Sequence, residues 1–194
     1  MKLAVSIAFA SLVVVPLSAQ QPPGGGQPPA GQKIDLPTAL QRGYNSVKNN
    51  LTQAADKLSD ADYNFKPGTM PEVRTFGQLF AHVAQAQFAQ CSGVKGVPNP
   101  QQGKQLEQEL KTKAEITKAL ADSFAFCDDA FSSTTADNAT QYVRTFGNNE
   151  VPRAAGLFGV IAHDNEMYGT AAVYLRLKGI VPPSTEGRGR RGRG

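Results

Sequence analysis

Two histidines, His82 and His163, are the only imidazoles in this chain of 194 residues. Each falls on the apolar stripe of an expected helix. Around the second, Val160, His163, Met167, Ala171 and Tyr174 recur at spacings of three and four and so share one helical face. Around the first, Phe76, Leu79, Val83 and Ala86 make a stripe that His82 joins. An imidazole turned inward either hydrogen-bonds to a neighbour or offers a neutral ring nitrogen to a metal. Residues four apart on a helix can grip one ion, so Met167 stands where a second ligand on the His163 helix would be. Its thioether is soft and uncharged, a poor donor to zinc or nickel and a fair one to Cu(I). Glu166, three residues from His163, is an alternative third donor. Two histidines and one carboxylate form a ligand set that supports metal-assisted hydrolysis. Asp164 falls on a different side of the helix and is a weaker candidate.

No other chemistry is legible. No serine, cysteine or threonine sits in a nucleophile motif, and neither a phosphate-cradling loop nor a dinucleotide fingerprint occurs. Arg74 and Arg176 read as solvated surface cations, Tyr168 and Tyr174 as helix-packing aromatics. Tyr44 could turn its hydroxyl into the interior. The two cysteines, Cys91 and Cys127, read either as a disulfide of an oxidising compartment or as two buried free thiols.

The elements that must hold the histidines are helices. Leu40, Tyr44, Val47, Leu51, Ala54 and Leu58 form one apolar stripe, which predicts a helix from about Pro37 to Leu58. A loop with two prolines and one glycine, Tyr63 to Pro71, ends it. Thr75-Phe-Gly-Gln78 is a capping box that opens a second helix, expected to fade near Cys91. Thr112-Lys-Ala-Glu115 is another, opening a third helix to about Phe131 along Ile116, Leu120, Phe124, Cys127 and Phe131. A fourth runs from about Pro152 and stops at Gly179 before Pro182-Pro183. With no strand-like alternation, this is an all-α chain, a four-helix bundle. The long connection Ser92–Gly103 allows the second and third helices to run parallel, which would bring Cys91 and Cys127 to the same end.

The flanks are of another kind. Lys2, an apolar run from Leu3 to Val15 and Pro16-Leu-Ser-Ala19 describe a secretory signal peptide, residues 1–19. The run is short for a membrane span, and a periplasmic or secreted protein is expected. A Pro/Gly/Gln tether (20–33) leads to the folded body (34–185), and an Arg/Gly tail (186–194) closes the chain. The tail's four arginines account for the whole formal charge of +4; without them and Lys2 the body carries about −1. The basic balance therefore describes a tail and no basic face. An exported protein rarely meets nucleic acid, so weak contact of the tail with anionic lipid or polysaccharide is the expected use.

Three segments carry a resemblance to a known family. They are Tyr63-Asn-Phe-Lys-Pro67, Val73-Arg-Thr-Phe-Gly-Gln-Leu-Phe-Ala-His82, and His163-Asp-Asn-Glu-Met-Tyr-Gly169 continuing to Pro183. Together they resemble the DinB-like superfamily of metal-dependent four-helix bundles, in its exported branch, over about residues 36–185. The resemblance implies three imidazoles around one divalent metal, often zinc or nickel, with open positions for water or a small-molecule ligand. Relatives include thiol-dependent transferases and isomerases, and many are dimers, which leaves a homodimer open. His82 matches the ligand on the second helix and His163 the first on the fourth, whereas Met167 replaces the third imidazole. Two readings are compatible with this pattern. In one, a divalent-metal-dependent hydrolase or thiol transferase uses His82, His163 and Glu166. In the other, a variant or degenerate site (His82, His163, Met167) serves a non-catalytic or weakly metal-binding envelope protein of unknown substrate. Copper handling by the same three residues is a smaller alternative.

Overall fold

A computed structural model describes residues 31, 33–145 and 149–186. The chain divides into two compact units, Met1–Lys33 and Ile34–Gly194. Nearly all of the first, with the segments expected to be a leader and a tether, lies outside the described residues, as does the Arg/Gly stretch from residue 187.

The second unit is the bundle. Its long helices are α1 (Leu36–Lys57), α2 (Phe76–Lys95), α4 (Lys113–Ser132) and α5 (Arg153–Leu177). Both capping boxes form: Thr75 and Gln78 satisfy each other's backbone N–H groups at the start of α2, and Thr112 and Glu115 do so at α4. Asp35 caps α1 by accepting from the Thr38 amide. The second helix does not fade near Cys91 but continues one turn further, closing on Gly96 in the left-handed conformation (φ 67°). Val94, fully buried in that last turn, is the reason.

Contacts fix the directions. Gly77 lies against Ile116, Gln87 bonds Ser123 and Lys95 pairs with Asp129, so α2 and α4 run parallel. Tyr44 of α1 stacks on Phe131 at 3.9 Å while Lys113 donates to the Leu58 carbonyl, so α1 opposes α4. α5 opposes α2, with Gly156 beside Val94 and Tyr174 beside Phe76. The parallel pair is joined by a disulfide between Cys91 and Cys127, with Cα atoms 5.4 Å apart. This resolves the alternative left open by the cysteine count.

Two features depart from the expected four helices and their loops. Tyr142–Arg144 (β1) and Glu150–Pro152 (β2) pair antiparallel, with Val143 opposite Val151. Three-residue strands are too short to show a period of two, so alternation was invisible. The hairpin sits on α2 at Gly93, where an added Cβ would run into the Arg144 carbonyl oxygen. Gly93→Ala should therefore destabilise the protein by about 1–3 kcal/mol, as overpacking does. Gly159→Ala, at a helical glycine with open space around it, should stabilise by about 0.5–1 kcal/mol. Urea titration of the two variants checks the opposite signs. The other departure is a short helix, α3 (Leu106–Glu109), in the long connection. Leu106 is buried and its amide donates to Gln85 Oε1 (2.8 Å), which folds the connection back over α2.

Candidate metal centre

The bundle brings His82 of α2 and His163 of α5 together. Their Nε2 atoms are 3.2 Å apart, and their side chains keep 26% and 20% of their accessibility. Each ring has a carboxylate at its other nitrogen. Glu107 Oε1 lies 2.6 Å from His82 Nδ1, and Asp164 Oδ1 lies 3.5 Å from His163 Nδ1.

Glu107 was not recognisable in the sequence. It reaches His82 because buried Leu106 and half-buried Leu110 anchor α3 against the core. Arg74 holds it there, Nε donating to Oε2 at 2.7 Å and Nη2 to Oε1 at 3.3 Å. Arg74 is in turn fixed by Tyr174, whose hydroxyl donates to the Arg74 carbonyl (2.8 Å). The expected solvated arginine is thus a partly exposed clamp on a carboxylate. Burial pushes Glu107 up, but the hydrogen bonds from Arg74 and His82 outweigh it and hold the carboxyl below its ordinary value. For His82, burial works first and lowers the imidazole's pKa despite the opposing pull of Glu107.

Asp164 also departs from expectation. It is fully buried, its Oδ2 accepting from Gln87 Nε2 (2.7 Å), while Ser123 donates to Gln87 Oε1 (2.8 Å). Because α5 packs against both α1 and α2, its buried arc is wide enough to include Asp164 beside His163. Burial raises its pKa, opposed by His163 and Gln87.

Proton placement exposes a conflict. Two partners meet His82 Nδ1, Glu107 Oε1 at 2.6 Å and the Arg74 Nη2 donor at 3.2 Å; an ionised carboxylate only accepts, so the shorter contact places the proton on Nδ1. With its proton there, a neutral His82 ring presents its Nε2 lone pair to His163. If His163 donates from Nε2, its Nδ1 lone pair faces Asp164 Oδ1, which leaves both atoms unsatisfied while that carboxyl is ionised. If His163 instead donates from Nδ1, two Nε2 lone pairs face each other at 3.2 Å. The geometry bears the mark of this conflict, since His163 Nδ1 and Asp164 Oδ1 are both buried without a hydrogen-bond partner. At 3.5 Å they are too far apart for a good hydrogen bond. A cation between the two Nε2 atoms would satisfy both rings, as would a proton on Asp164 Oδ1 with His163 donating from Nε2. The spacing fits the cation, because nitrogens bound at about 2.0–2.1 Å in a tetrahedral site stand about 3.3 Å apart.

The other candidates separate. Met167 is buried (8% exposed) among apolar core residues, one turn on from His163. Glu166 is exposed, and no hydrogen bond or ion pair joins its carboxylate to either imidazole. Among the described residues no three His, Cys, Asp or Glu side chains converge on one point where an ion could sit. Tyr44 does turn inward, donating toward the Phe124 carbonyl and Asp128 at 3.0 Å each.

Fold and site together define a four-helix bundle with an inward imidazole pair on its second and last long helices. The sequence matches the DinB superfamily over residues 44–171, and the chain belongs to that family. Solved structures share the fold. A DinB-like protein from Bacillus cereus is 20% identical with a TM-score of 0.61, over 74% of this chain and 93% of that one. A conserved Enterococcus faecalis protein is 14% identical with a TM-score of 0.60, over 75% and 98%. A mycothiol-dependent maleylpyruvate isomerase is 18% identical with a TM-score of 0.54, over 70% of this chain and 60% of its own. A search of curated proteins returns no match.

Proposed function

We propose that this DinB-superfamily protein acts outside the cytoplasm as a binding protein that holds one transition-metal ion weakly, through His82 and His163, and does not turn over a substrate. The observation that carries the reading is the imidazole pair itself, two Nε2 atoms 3.2 Å apart with a carboxylate behind each ring. Carboxylate–histidine pairs of this kind orient a metal's ligands and raise their basicity. A bound ion would supply Lewis acidity, but the residues around it limit the chemistry that acidity could drive. Met167, in the third ligand position, is neutral and soft, so a zinc or nickel ion would rest on two nitrogens where a catalytic zinc site has three protein ligands. Cu(I) is the ion that Met167 would disfavour least. The exposed position of Glu166 offers no support to a hydrolase or thiol transferase built on it.

Export is supported by the apolar leader and by the Cys91–Cys127 disulfide, which suits an oxidising compartment. No described helix is long and apolar enough to cross a membrane. The arginine tail adds weak contact with anionic lipid or polysaccharide.

Equilibrium dialysis of the untagged protein against Zn2+, Ni2+ and Cu(I) tests the reading. One saturable site is expected, lost in both His82→Ala and His163→Ala. Saturable metal binding that survives both substitutions removes it. In the same assay Glu107→Ala should weaken binding about 10- to 100-fold, the usual effect of losing a partner behind a ligand, with the helical circular-dichroism signal unchanged.

A further inference from the structure

A line of buried polar contacts joins the disulfide to the imidazole pair. Gln87 lies one helical turn before Cys91 on α2, and Ser123 lies one turn before Cys127 on α4. Because the two helices run parallel, the Gln87–Ser123 hydrogen bond and the Cys91–Cys127 bridge are successive rungs across one interface. The rungs touch, with Cys127 Sγ 3.5 Å from the Gln87 carbonyl oxygen. All four side chains are buried, so water does not compete for these contacts. From Gln87 the line continues to α5, where Nε2 donates to Asp164 Oδ2 at 2.7 Å. An ionised carboxylate only accepts, so the NH2 end of the amide faces Asp164 and Oε1 is left to the Ser123 hydroxyl. That hydroxyl is shared with the Leu120 carbonyl, also at 2.8 Å. Among the described residues Gln87 is the one hydrogen-bond partner of Asp164, since Oδ1 has none.

We propose that the disulfide sets the metal affinity of the imidazole pair through Gln87, so that the ion is held more tightly once Cys91 and Cys127 are joined. The inference rests on the metal-binding reading above and adds a regulator to it. Joining the two thiols passes two electrons and two protons to an oxidant, here a disulfide of another molecule, which leaves as a dithiol. The new bond fixes α2 against α4 at the level of Gln87. With that register fixed, Gln87 holds Asp164 Oδ2 and leaves Oδ1 turned to His163 Nδ1. A bound ion needs this arrangement, because a ring that gives Nε2 to a metal carries its proton on Nδ1 and donates it to the group behind. Without the bridge, only packing and the Ser123 contact hold Gln87 in register, and the carboxylate behind His163 is less firmly placed. Gln87 and Ser123 are thus positioning residues. A chain still reduced is a poorer metal binder than one that has met an oxidising compartment.

Equilibrium dialysis against Zn2+ tests this on four full-length proteins, with circular dichroism reporting that each is folded. They are the parent, the Cys91→Ala, Cys127→Ala double variant, Gln87→Met, and the three substitutions combined. Loss of the bridge should weaken zinc binding about three- to tenfold, the worth of one hydrogen bond read as affinity. Gln87→Met should weaken it at least as much. Removing the bridge from Gln87→Met should then change the affinity by less than about twofold, because the relay is already gone. Where Gln87→Met loses its helical signal, Ser123→Ala takes its place in the cycle. A zinc affinity that is the same with and without the bridge overturns the proposal. So does an equal loss in both backgrounds, which would mean that the bridge acts by another route. A parent that binds no zinc overturns the metal-binding reading itself, and this inference with it.

Discussion

Met167→His should tighten Zn2+ and Ni2+ binding by at least about a hundredfold, since even a partner behind a ligand is worth about 10- to 100-fold and a direct ligand more. The position is one turn from His163 on the same face, the i and i+4 relation that lets two side chains of one helix grip an ion. The substitution changes the donor from soft thioether to borderline imidazole, so Cu(I) should gain less than zinc. It also has a cost without metal. Met167 is buried among apolar side chains, and an imidazole placed there with no partner should destabilise the apoprotein by about 1–3 kcal/mol. Zinc should then restore the melting temperature in proportion to the logarithm of its concentration over the dissociation constant. A competition titration with a chromophoric chelator reads the affinity, and thermal melts with and without zinc read the linkage. Unchanged zinc affinity would mean that residue 167 does not face the pair.

Removing the disulfide should lower the melting temperature by about 8–16 °C, at about 2–4 °C for each kcal/mol in a domain of this size. Cys91 and Cys127 are 36 residues apart, and closing a loop of that length removes about 4 kcal/mol of chain entropy from the unfolded state in the entropic model. The bridge ties the parallel pair α2 and α4, which no short hairpin connects, so its loss is felt where the chain offers least local restraint. Scanning calorimetry of the double Cys→Ala variant checks the number. A midpoint within about 2 °C of the parent, a margin set by about half a kcal/mol, would mean that the reduced chain is already held by packing alone.

Legibility in the sequence tracks the range of the physics involved. Stripes such as Leu40–Tyr44–Val47–Leu51 and the Thr75 and Thr112 capping boxes are encoded within a few residues, and they appear in the fold as read. The family resemblance and the bundle also stand. Glu107 escaped because its place depends on Leu106 entering the core, on Gln85 accepting the loop's amide and on Arg74 closing over it. Asp164 was assigned to another side of its helix by angular spacing alone. A helix packed on two neighbours buries a wider arc than a single stripe, and Gln87 from α2 supplies the partner that makes the burial tolerable. The hairpin escaped through its brevity, and the cysteine pairing stayed open because the long connection Ser92–Gly103 permits parallel helices without requiring them.

The central question is whether His82 and His163 aim their Nε2 lone pairs at a shared cation. Long-range 1H–15N spectra of the imidazoles, recorded at pH 7 while Zn2+ is added to the untagged protein, address it directly. The proposed arrangement predicts that at saturation both rings carry their proton on Nδ1, and that both Nε2 resonances move together at one equivalent of metal. Nε2 resonances that stay in place through the titration, or a ring that remains protonated at Nε2, would contradict it.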